Sequence, residues 1–122
     1  MLDMADVERL ALALPQTQAQ AEGEARTFTV AGKGFCWTYR QRVDPKKPRQ
    51  PRPDVVSVRC PLERKDMLIE AAPEIYFDDD HYRGYPAVLV RLAAVGEAEL
   101  AALLRDAWRL KAPRRLLKAA AP

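Results

Sequence analysis

The single histidine, His81, follows three consecutive aspartates, Asp78, Asp79 and Asp80, and precedes Tyr82, Gly84 and Tyr85. Carboxylates beside an imidazole are raw material for a cation site or a general base. The string lacks the glycine and the distal glutamate of a calcium loop. One imidazole does not complete a transition-metal site. As a base, His81 would need an orienting partner, and adjacency to Asp79 and Asp80 does not define geometry. The plainer reading is an acidic turn leading into a strand. Cys36 and Cys60 each sit in an apolar stretch and are too few for a disulfide framework or a cysteine-based zinc site, so they read as buried thiols. There is no Gly-rich phosphate loop, nucleophile elbow or Ser-His-acid order. The sequence therefore predicts no catalytic residues, no metal and no cofactor.

What remains is binding chemistry. Arg40, Arg42, Lys46, Lys47, Arg49 and Arg52 stand against Asp44 and Asp54, a local charge of +4 where the whole chain carries +3. Cations on a loop can neutralise phosphates along a duplex without reading its sequence. The competing reading is a solvated insertion. A second run, Arg105, Arg109, Lys111, Arg114, Arg115 and Lys118, is opposed by Asp106. The dipole of a helix C-terminus accounts for Arg109 and Lys111. It does not account for Arg114, Arg115 and Lys118, which lie beyond Pro113. If both runs share a side, they form a continuous positive surface. The aromatic residues Trp37, Tyr39, Tyr82, Tyr85 and Trp108 read by default as core. Trp108 lies on an apolar stripe, whereas Tyr82 and Tyr85 flank Gly84 and are placed to stack on a base or ligand.

The elements that must position these groups follow from periodicity and breakers. Val7, Leu10, Ala11 and Leu14 predict a helix over 3–14, capped by Asp3 and ended by Pro15. Residues 16–25 read as a polar loop. Strands over 26–30 and 35–40 flank a Gly-Lys turn as a hairpin, with Phe35, Trp37 and Tyr39 alternating against Cys36, Thr38 and Arg40. Pro45, Pro48, Pro51 and Pro53 make 41–53 a loop. A strand over 54–60, a helix over 62–72 opened by Pro61 and closed by Pro73, and a strand over 86–92 follow, with a short strand before Gly84. Leu100, Leu103, Leu104, Ala107 and Trp108 form the buried stripe of a third helix after Gly96. That helix stops or kinks at Pro113. The order α-β-β-β-α-β-β-α predicts an α+β fold, an antiparallel sheet with helices on one face.

The 122 residues are 48% hydrophobic and 30% charged, which suits one globular domain spanning 1–122. No apolar run reaches the roughly 18–20 residues of a membrane span. The N-terminal segment carries acids where a secretory signal carries Lys or Arg, so the expected location is the cytoplasm. The expected state is a monomer.

Three segments carry a resemblance: Phe28 to Phe35, His81 to Leu92, and Leu103 to Leu116. Together with the element order, they are similar to the MmcQ/YjbR family over nearly the whole chain. The resemblance implies a compact frataxin-like (CyaY-like) α+β fold and a bacterial DNA-binding label that rests on fold comparison. The chain departs from the family pattern at Glu22-Gly23-Glu24, where members often carry a Trp, and in its longer, more basic 41–53 loop. The reading that follows is a non-catalytic protein binding DNA, tolerant of sequence, through Arg40, Arg42, Lys46, Lys47, Arg49, Arg52, Arg114 and Arg115. The alternative is a protein-interaction or small-ligand module built on His81, Tyr82, Tyr85 and Trp108.

Overall fold

The computed structural model describes residues 1–42 and 44–120; Val43, inside the expected basic loop, and the last two residues lie outside them. The chain opens with helix α1 (Met4–Leu12). Asp3 caps it in a reciprocal box, its carboxylate accepting the Asp6 N–H while the Asp6 carboxylate accepts the Asp3 N–H. Strands β1 (Thr17–Glu22), β2 (Ala25–Val30), β3 (Lys33–Gln41) and β4 (Gln50–Arg59) follow as a meander. Helix α2 (Leu62–Ala71), strands β5 (Tyr76–Phe77) and β6 (Ala87–Arg91), and helices α3 (Glu97–Lys111) and α4 (Arg114–Ala120) complete the chain. All strand pairings are antiparallel, in the order β1-β2-β3-β4-β6-β5.

The α+β expectation and the placement of helices on one face hold. That face carries the main core, where Phe28, Val30, Val56, Val58, Val88 and Val90 meet Val7, Ala11 and the predicted α3 stripe, all five residues of which are buried. The opposite sheet face carries a smaller cluster of Tyr39, Val55, Tyr82, Ala87 and Leu89, with Trp37 and Phe77 packed on it. Strand β6 serves both, alternating Val88 and Val90 against Ala87 and Leu89.

Three expectations are corrected. The polar loop at 16–25 is largely a strand. TQAQAE has no apolar face to announce itself, and its five exposed residues are held by pairing with β2. Second, the hairpin does not alternate as read. Thr29 pairs with Gly34 while Phe28 pairs with Cys36, so Phe35 is an extra residue bulged from the ladder. The bulge turns Phe35 into the helix-side core beside Cys36, while Trp37 and Tyr39 face the other way. Third, the expected 41–53 loop loses both ends, because β3 runs to Gln41 and β4 begins at Gln50. Gln50, Pro51 and Arg52 pair with Gln41, Arg40 and Tyr39. The prolines are tolerated because β6 pairs only from Val55 onward, leaving one side of the early strand unpaired, and Pro53 sits in a register shift. Among the described residues no helix is long and apolar enough to cross a membrane.

Tyr39 on β3 and Tyr76 on β5 are held above the usual phenol range, first by burial and then by hydrogen bonds to the Asp79 and Glu99 carboxylates. The folded state thus keeps protons that the unfolded chain releases near its ordinary value of 10.0. Stability from these groups is complete below that pH and is lost as pH rises through the folded values. The expected result is a Tm that falls steadily above pH 10, with late tyrosinate absorbance appearing only as the fold is lost. Complete tyrosine ionisation near that pH with the circular dichroism intact would contradict this.

Candidate functional site

The turn from Asp78 to Pro86 joins β5 to β6 and lies over the smaller cluster. Its anchor is Lys65 on α2, 1% exposed. The Lys65 ammonium donates to the carbonyls of Tyr82 at 2.7 Å and Tyr85 at 3.0 Å and pairs with Asp78 at 3.1 Å. Its three donors are all used, which offsets the loss of hydration that a buried charge suffers. Asp79 accepts the Tyr39 hydroxyl at 2.5 Å and the Tyr82 N–H at 2.7 Å. The Trp37 indole N–H donates to the Tyr82 hydroxyl at 2.9 Å. Tyr82 then meets Tyr39, His81 and Tyr85 edge-on, with centroids 5.9, 5.4 and 5.8 Å away. Gly84 takes φ +77°, a left-handed conformation that side chains disfavour.

This frame leaves Trp37, His81, Tyr82 and Tyr85 around a cleft of about 340 Å³. His81 also lines a second cleft of about 210 Å³, with Tyr39, Gln41, Arg42, Arg49, Asp79 and Asp80. The two are therefore contiguous. At the other side of the aromatic cleft, the Arg59 guanidinium lies 5.0 Å from the Trp37 ring and 5.2 Å from the Tyr85 ring, and its Nε–H donates to the Gly34 carbonyl at 3.2 Å. Arg59 in turn lines a hollow of about 210 Å³ with Cys60, Pro61, Pro86, Leu110 and Lys111. Arg59 thus stands between the rings of the aromatic cleft and a separate hollow at the end of α3.

The expected cations differ in availability. Arg40 pairs with Glu22 at 3.0 Å, and Arg52 with Asp54 at 2.6 Å. Arg49 donates to the Arg40 carbonyl at 3.1 Å. Arg42, Lys46 and Lys47 are exposed and form no ion pair among the described residues. A continuous positive surface was expected only on the condition that both basic runs share a side, and along β4 the two runs stand far apart. Arg114 and Arg115 are exposed on α4, just after Lys111, which sits beside Arg59 at one end of β4. The basic loop joins the other end of β4 at Gln50, nine residues away, or roughly 25–30 Å of extended chain.

Trp108 must be removed from the aromatic set. It is 1% exposed in the helix-side core, and its indole N–H donates to the Pro15 carbonyl at 2.9 Å. The three aspartates are each engaged away from His81: Asp78 by Lys65, Asp79 by Tyr39 and Tyr82, Asp80 by Arg83 at 2.9 Å. No group of three or more potential ligands gathers for a metal among the described residues. Burial pushes both the Cys36 and Cys60 thiols up, away from nucleophilic behaviour.

Two site residues escaped sequence reading. Lys65 stands in register with Leu68, Ile69 and Ala72, which pack on the core, so its spacing marked an inward position. Arg59 follows Val55 and Ser57 at strand spacing, on the face that carries the rings.

The YjbR family model matches residues 12–110. The chain belongs to the YjbR family. The matched span holds the basic loop, the aromatic turn, Lys65 and Arg59, and ends before Arg114 and Arg115. Among YjbR-like relatives, the uncharacterized protein Rv2570 of Mycobacterium tuberculosis is 36% identical over 121 residues, covering 93% of this chain and 92% of its own. The uncharacterized protein Mb2600 of Mycobacterium bovis matches to the same extent, 36% identity over 121 residues. The crystal structure of Deinococcus radiodurans protein DR2400, a DUF419 domain and thus of the same family, aligns with a TM-score of 0.67 at 22% identity, over 90% of this chain and 78% of that one. At that identity the likeness speaks for the YjbR fold alone.

Proposed function

We propose that this YjbR-family chain is a non-catalytic nucleic-acid-binding protein, driven by phosphate contacts and largely indifferent to sequence. One observation carries the reading: His81 lines both the aromatic cleft and the cleft holding Arg42 and Arg49, so ring faces and cations adjoin. Phosphates and bases need this pair of surfaces side by side. Arg42, Lys46 and Lys47 supply exposed charge for phosphates, with Arg49 fixed at the floor. Asp79 and Asp80 share that cleft with Arg42 and Arg49; Arg83 pairs with Asp80, and the surplus positive charge comes from Lys46 and Lys47 on the loop. Arg114 and Arg115 are peripheral to the site.

Fluorescence anisotropy of a labelled oligonucleotide, titrated at low and physiological salt, tests this. Log affinity should fall steeply with log salt. The Arg42→Ala/Lys46→Ala/Lys47→Ala variant should bind about tenfold or more weakly and lose about 2–3 units of salt slope. Absence of binding even at low salt would end the proposal. The second reading, a small-ligand module, draws on the size of the aromatic cleft, about 340 Å³ and so within the range of about 300–1,000 Å³ usual for such sites. On that reading the triple variant keeps full ligand affinity and Tyr85→Ala loses it.

A further inference from the structure

We infer that the nucleic acid taken by this groove is a single strand, its bases stacked on Trp37, His81 and Tyr85; this rests on the proposed nucleic-acid function and deepens it. Four aromatic rings line the cleft: Trp37 half-buried, His81 and Tyr85 exposed, Tyr82 locked behind them, with Arg59 already stacked over one face of Trp37 and of Tyr85. Ring faces reward only bases that are free of their own stack. In a duplex both faces of every interior base are already covered, and the edges that remain are read by hydrogen bonds, for which this wall offers few donors.

The surroundings agree. Cations stand on both sides of the rings, Arg42 and Arg49 in the cleft that shares His81 and Arg59 over Trp37 and Tyr85. A backbone crossing the rings meets positive charge on either side of the stacked segment. Arg59 is held against both Trp37 and Tyr85, so the platform is ordered before a ligand arrives. The helix faces that bury apolar side chains are spent on the opposite side of the sheet, and among the described residues the ring-bearing face presents no helix to a major groove.

The two tryptophans report separately. Trp108 is sealed in the helix-side core, and Trp37 borders the cleft. The full chain is therefore titrated with an oligothymidylate of about 12 nucleotides, within the usual span of single-strand sites, and with a duplex carrying the same number of phosphates. The expected result is about tenfold or tighter binding of the single strand, with quenching of tryptophan emission that Trp37→Phe removes. Tyr85→Ala should weaken single-strand binding about tenfold while leaving the fold intact, because that side chain is 38% exposed. Equal or tighter duplex binding without quenching overturns the single-strand inference and leaves the nucleic-acid reading standing. Single-strand binding that neither Trp37→Phe nor Tyr85→Ala alters also overturns it, since phosphate contacts alone would then explain the affinity. Failure of both probes to bind at low salt removes the inference together with the reading beneath it.

Discussion

Lys65→Met will cost about 2–4 kcal/mol of stability, measured by denaturant unfolding, and will abolish ligand binding at the groove. The first figure follows from what the ammonium leaves behind. Removing one partner of a buried, hydrogen-bonded charge costs about 3–5 kcal/mol. The expected loss is set lower because Asp78 is 28% exposed and can rehydrate. The Met side chain keeps most of the packing of the Lys stem, so the loss reports the three oxygens rather than a cavity. The second effect follows because the same three oxygens fix the turn that carries His81, Tyr82 and Tyr85. Arginine should not rescue, since its planar fork cannot copy three converging donors. Lys65→Met/Asp78→Asn should recover part of the stability and none of the binding. A variant within about 0.5 kcal/mol of the parent, binding normally, would show that the turn holds itself.

Trp108→Ala will cost more, about 3–5 kcal/mol, and will act on a different property. Its ring fills the helix-side core, and its N–H satisfies the Pro15 carbonyl just past α1. Loss of the ring leaves a cavity and an orphaned acceptor. Binding measured under conditions where the variant is folded should be unchanged, because the sheet separates Trp108 from the cleft. If affinity falls with the folded fraction held near one, the division between core and site is wrong.

The contrast between these two residues shows what the sequence could display. Periodicity exposed Trp108 together with Leu100, Leu103, Leu104 and Ala107, because a helix stripe repeats and every member is buried. The caps at Asp3 and Gly96 and the stop before Pro73 were legible for the same local reason, whereas α1 ends at Leu12, short of the expected Leu14 and Pro15. Strand β1 was not, since its order comes from hydrogen bonds to β2 rather than from its side chains. One bulge turned Phe35 away from the face of Trp37 and Tyr39, and no local feature announces a bulge of this kind. At the site, the basic loop and the Tyr82–Tyr85 turn were both visible as separate segments. Their meeting at His81 was not. The two segments lie far apart along the chain, and their contact is set by the order of β3, β4 and β6 in the sheet. The pairings that silence Arg40 and Arg52 divide likewise. Asp54 lies two positions from Arg52, whereas Glu22 reaches Arg40 only through the fold.

The sheet has two clusters, one on each face, sharing strands, and Lys65 reaches from α2 on the helix side to the turn on the other. A lineage can therefore exchange rings and cations on one side without repacking the helices on the other. Ligand preference can then drift while foldability is kept, except at Lys65, where the two are tied. The architecture itself is kept in DR2400 at 22% identity, so most side chains can change while this fold stands.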